Sequence, residues 1–176
     1  LKVCVTGPYT LASFFPYRTS ETFASMGEVV AAIIERNVFR EKAGGVAIVS
    51  VDEPVFGFVD DPLVDRGSVG RESLFRAWEK VFHCAKVKGV RTVLHLHSSS
   101  DGLFWGVKGL DVLDSHVGDP LYQLRQTKEL LEKEDKFLEA SVCVVDFDEL
   151  IREALAGSSG RKFGEHTLDQ DVAEAW

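Results

Sequence analysis

Cysteine is scarce in this chain: there are three in 176 residues, at Cys4, Cys84 and Cys143. They are odd in number, far apart and outside any C-x-x-C spacing, which argues against a disulfide framework and for a reducing compartment, the cytoplasm. Basic charge is also in short supply. Lys and Arg number 20 against 28 Asp and Glu, a formal net charge of −8 with an isoelectric point near 5.1. No basic cluster is dense enough to reverse this locally, so nucleic acid and membrane surfaces are both discounted as partners. Long apolar runs are missing too. None approaches the length of a membrane span, and the opening LKVCVTGPYT lacks the charged and long apolar regions of a secretory signal. The chain does not open on Met, so Leu1 is not expected to be the natural start.

What is present is a composition able to form a core. With 45% apolar residues and a mean hydropathy of −0.01, the chain suits one globular domain over residues 1–176, without an evident repeat or linker. Short runs rich in Val and Ile predict strands at 1–7, 45–54, 91–98, 109–117 and 139–147. Their density predicts burial on both faces, as in a parallel sheet. Helical patterns lie between them at 21–42, 70–88, 120–135 and 147–156, with Thr19 or Ser20 as an N-cap, Gly44–Gly45 closing the first and Gly89 ending the second. GSSGRKFGEH (157–166) is a polar connection, and TLDQDVAEAW suits one more helix. Strict alternation of strand and helix predicts an α/β fold with right-handed crossovers, its sheet either open or closed as a barrel.

Histidine is used sparingly, five in all, yet two stand one residue apart in RTVLHLHSSSDG. Alternation along a strand puts Val93, His95 and His97 on one face, with the imidazoles about 6–7 Å apart and within reach of one ion. In parallel α/β proteins ligands gather at the carboxyl ends of strands, where this pair sits. Strand 109–117 adds Asp114 and His116 on one face. Three histidines from neighbouring strands would make a zinc-type site with an open position; alternatively Asp114 simply opens a turn. In IVSVDEP, Asp52 and Glu53 point to opposite faces at a strand end, and Pro54 leads the chain out of the sheet. Asp52 suits a substrate amino group or a histidine's hydrogen-bond partner. Gly7 and Pro8 follow the first strand, where Gly admits close approach of a ligand and Pro stiffens the loop. Cys4 and Cys143 read as small core residues. His83 and Cys84 diverge on a helix, and His166 lies in the polar connection.

Taken in order and spacing, TGPYTLA (6–12), VDEP (51–54), HLHS (95–98) and LDSHVGDP (113–120) resemble the catalytic barrel of cobalamin-independent methionine synthase, in its short archaeal and bacterial form. That family shares a superfamily with uroporphyrinogen decarboxylase. The resemblance implies a TIM (β/α)8 barrel, of which about strands three to seven are present here. It implies Zn2+ as cofactor, and transfer of a methyl group to a homocysteine-like thiol from a folate or a corrinoid donor. His95 matches the family's histidine ligand, and His97 stands where the family usually has cysteine in H-x-C. His116 or Asp114 falls near its glutamate ligand. Asp52 matches the aspartate that holds the homocysteine amino group, with Glu53, Gly7, Tyr9 and Ser98 as further substrate contacts. The metal set expected is therefore His95, His97 and His116, with Asp52 and His95 as catalytic residues. The family's last ligand, a cysteine in PxCG, has no counterpart before Trp176, and its first two strands would precede Leu1. An incomplete barrel would leave two strand edges for a second copy, a homodimer, to cover. Two other readings fit the same residues: a metal-free barrel enzyme of the decarboxylase type, and a truncated barrel serving as a binding subunit.

Overall fold

A computed structural model describes residues 1–58, 60–116 and 118–140. The end of the expected strand 139–147, the helices expected at 147–156 and in TLDQDVAEAW, Cys143 and His166 lie outside the described residues. The described residues belong to one compact unit.

Five strands make one parallel sheet: β1 (Lys2–Thr6), β4 (Ile48–Glu53), β5 (Arg91–Leu96), β6 (Val112–Ser115) and β7 (Phe137–Ala140). They lie side by side in chain order, each new strand adding to the same edge. Between β1 and β4 come helix α1 (Pro8–Ser13), helix α2 (Ser20–Asn37) and a small antiparallel ladder, β2 (Arg40–Glu41) with β3 (Gly44–Gly45). Helix α3 (Val69–Val87) joins β4 to β5, a 3-10 turn (Leu103–Gly106) joins β5 to β6, and α4 (Arg125–Glu134) joins β6 to β7. Among the described residues no helix is long and apolar enough to cross a membrane.

The helices follow from their apolar spacing. Phe23, Gly27, Val30 and Ile34 form one buried stripe of α2, and Leu74, Trp78, Val81, Phe82 and Ala85 the stripe of α3. A Cβ at Gly27 would stand 2.7 Å from the Cβ of Ala77, so a side chain there would push the two helices apart. Thr22 Oγ1 accepts from Thr19 N at the start of α2, and Ser68 Oγ accepts from Arg71 N at the start of α3. Gly89, at φ 72°, lets the chain turn out of α3 without the Cβ strain of the left-handed region.

The two faces of the sheet differ in chemistry. Val49, Val51, Leu94, Leu96 and Leu113 join Phe23, Ile34, Trp78 and Phe82 in the core. The other face carries Lys2, Cys4 and Thr6 of β1, Ser50 and Asp52 of β4, Val93 and His95 of β5, Val112 and Asp114 of β6, and Glu139 of β7, by the strand register. This face is concave. In a flat sheet four strand spacings would hold β1 and β7 about 19 Å apart, yet Lys2 Nζ lies 3.6 Å from Glu139 Oε2. The contact is also staggered. Followed back from Glu139 through Asp114, His95 and Asp52, the ladders lead to Thr6, four residues beyond Lys2.

Candidate functional site

At the carboxyl ends of the strands one ladder row reads Thr6, Asp52, His95, Asp114, Glu139 across all five strands. Every member faces the concave side, because the residues are paired and side-chain direction alternates with period two. His97 and His116 stand two residues beyond His95 and Asp114, one step nearer the mouth of the bowl. The three imidazoles meet there. Ring centroids are 5.1 Å apart for His95 and His97, 6.0 Å for His95 and His116, and 4.3 Å for His97 and His116. The rings cross at 87°, 79° and 64°, so they present edges rather than stacked faces to one another.

Each ring has a distinct setting. His95 Nδ1 lies 2.9 Å from Asp114 Oδ2. Phe58 stands edge-on to His97, with centroids 6.2 Å apart. Burial pushes the His97 pKa below the usual imidazole value, His116 and His95 push the same way, and Asp52 opposes them. A neutral His97 keeps a lone pair free near neutral pH. Asp52 is half-buried, and Ser50 Oγ donates to its Oδ1 at 2.9 Å. Ser98 follows on the rim, its Oγ donating to Ser100 Oγ, which in turn donates to Gly57 O.

Imidazole nitrogen is a donor type that zinc takes. Zinc bound by imidazole nitrogens at about 2.0–2.1 Å holds neighbouring ring centres about 5 Å apart in tetrahedral geometry, and the observed separations of 4.3 to 6.0 Å bracket that value. Among the described residues no group of three or more His, Cys, Asp or Glu side chains is placed to hold a metal ion as it stands.

Three residues of the expected substrate set are not gathered with the histidines. Glu53, fully buried, points to the helix side, where its Oε1 accepts from Tyr9 N at 2.9 Å and Trp78 Nε1 at 2.8 Å, and its Oε2 from Thr10 N at 2.7 Å. Burial pushes its carboxyl above the ordinary range, while the Trp78, Tyr9 and Thr10 donors act against that rise. The carboxylate thus caps α1, taking up amide groups that the first turn leaves free. Tyr9 is packed between Phe23 and Phe56, and its hydroxyl donates to Asp61, which Arg18 also engages at 2.8 Å. Burial, then the Asp61 charge, pushes the Tyr9 pKa up to about 12. The bare Cα of Gly7 serves the same cap: a Cβ there would lie 2.3 Å from Glu53 Cδ and Oε1. Gly7 touches the histidine side only through its backbone, donating to Asp52 O at 2.8 Å.

Two braces behind the site were not anticipated. Asp119 accepts from Ser99 N at 2.9 Å, Ser115 Oγ at 2.9 Å and Leu121 N at 2.8 Å, and from Ser99 Oγ. Burial alone would raise its carboxyl, but these donors outweigh it and hold the pKa below the usual value. Arg71 grips Asp101 through two bonds of 2.6 and 2.7 Å and also donates to Val64 O. Together they fix the loop after His97. The only local signal for the first was Asp119 before Pro120, a capping pattern for the 3-10 turn at Pro120–Tyr122. Neither a family model nor a curated protein matches the chain.

Proposed function

We propose that the described sheet is an arc of a (β/α)8 barrel, and that the histidines at its mouth form a zinc centre for methyl transfer to a small thiol of the homocysteine type. Two features support the barrel. The strands follow one another in chain order, as they do around a (β/α)8 ring, and the contact between Lys2 and Glu139 is displaced by four residues over four strand steps. A displacement of one residue per strand is the stagger of an eight-stranded barrel of shear eight.

The observation that carries the function is the meeting of His95, His97 and His116 at the carboxyl ends of the strands. Three imidazole donors with an open fourth position suit a catalytic zinc. A zinc ion there would let a bound thiol lose its proton near neutral pH, and the thiolate is the form that attacks a methyl carbon. The chain's own residues supply the rest. Asp52, oriented by Ser50, lies beside His95 in the ladder and offers a carboxylate to the amino group of an amino-acid thiol. Ser98 and the braced loop after it border the approach of a folate or corrinoid methyl donor. Holding thiol and donor in line would contribute much of the acceleration.

Cobalt substitution tests this reading. The protein should take up one Co2+ per chain, and adding homocysteine should produce a sulfur-to-cobalt charge-transfer absorption that His97→Ala abolishes. Protein that takes up no metal, or whose cobalt spectrum ignores the thiol, would refute the proposal.

A further inference from the structure

We infer that Asp114 is a positioning residue rather than a metal ligand: it fixes the tautomer of His95 so that Nε2 is the nitrogen presented to the site. The placement is built into the sheet. Asp114 and His95 are direct ladder partners on β6 and β5, and Oδ2 of the one lies 2.9 Å from Nδ1 of the other. Both side chains are mostly shielded from solvent, with 15% and 27% exposure, so water competes weakly for that contact. A carboxylate only accepts, so the neutral ring must carry its proton on Nδ1. The lone pair then resides on Nε2, across the ring. An imidazole held this way is a better-oriented and more basic donor. The carboxylate beside it also matters because the other two members of the triad are imidazoles, which bring no negative charge toward a divalent ion.

The consequence for metal binding rests on the zinc reading, but the tautomer does not, so the two can fail separately. Long-range proton–nitrogen NMR of the metal-free chain, at about pH 8 where imidazole is neutral, reads which nitrogen of His95 is protonated. The expected result is Nδ1–H in the wild type and a shift toward Nε2–H in Asp114→Ala. Asp114→Asn, nearly isosteric and still able to accept through its amide oxygen, should keep the tautomer while losing the charge. Zinc affinity, measured by competition with a chromophoric chelator, should fall about 10–100-fold in Asp114→Ala and by a smaller factor in Asp114→Asn. An Nε2–H proton in the wild type, or identical tautomers in wild type and Asp114→Ala, overturns the inference. So does a cobalt spectrum of Asp114→Ala that shows one ligand fewer, since Asp114 would then be coordinating. Wild-type protein with no zinc affinity would refute the metal centre and leave the NMR result to decide the role of Asp114.

Discussion

Asp52 and Glu53 are adjacent acidic residues, and replacing each by alanine should change stability by very different amounts. Glu53→Ala removes the acceptor of three buried donors, Tyr9 N, Thr10 N and Trp78 Nε1. Each donor left without a partner costs about 1–3 kcal/mol. Part of that loss is offset because the buried carboxyl no longer has to be desolvated, leaving a net destabilisation of about 3–5 kcal/mol. With a urea dependence of about 2 kcal/mol per molar, the unfolding midpoint should fall by about 2 M. Circular dichroism in urea would read this, and Trp78 fluorescence should change in the folded state because its indole loses its partner. Asp52→Ala removes a half-buried side chain with one bond from Ser50, and its midpoint should move by less than about 0.5 M. Equal midpoints for Glu53→Ala and wild type would refute the assignment of Glu53 to the α1 cap.

Glu53 also sets a pH dependence. Its folded pKa is raised by burial, so its contribution is fully present below the unfolded carboxyl value and is lost as pH rises through the folded one; Glu53→Gln should flatten stability against pH across that window. Gly7→Ala should destabilise by about 1–3 kcal/mol, because the new Cβ meets a carboxylate pinned by three donors; thermal melting would measure it, and an unchanged melting temperature would contradict the close approach. Asp119 behaves oppositely to Glu53. Its pKa is held down by donated hydrogen bonds, so its contribution is present above the unfolded value and is lost as pH falls through the folded one. Asp119→Ala should destabilise by about 2–3 kcal/mol and speed amide exchange at Ser99, and unchanged exchange would sink the idea that it braces this loop.

Much of the sheet is legible in local sequence because its strands are short Val- and Ile-rich runs, and period-two alternation alone places His95 with His97, Asp114 with His116, and Asp52 opposite Glu53. What escapes is set by distant partners. The role of Glu53 is decided by Trp78 and by the amides of Tyr9 and Thr10, none of which is near it in the chain. Gly7–Pro8 reads as a loop because such pairs are usually turns, yet Pro8 opens α1, where its missing N–H is no loss. The helix expected over 21–42 ends at Asn37, and Gly44–Gly45 forms a strand against Arg40–Glu41 rather than a helix end. The helix expected over 120–135 divides into a 3-10 turn and α4, with Asp119 capping the first piece. The curl that brings Lys2 to Glu139 has no local signature, since it is a property of the whole sheet.

X-ray absorption at the zinc edge of the metal-loaded protein tests the central claim most directly. Convergence of His95, His97 and His116 predicts three imidazole nitrogens at about 2.0–2.1 Å from the ion and, once homocysteine is added, one sulfur at about 2.3 Å. An ion surrounded only by oxygen, or a nitrogen count unchanged in the His95→Ala and His116→Ala variants, would contradict it.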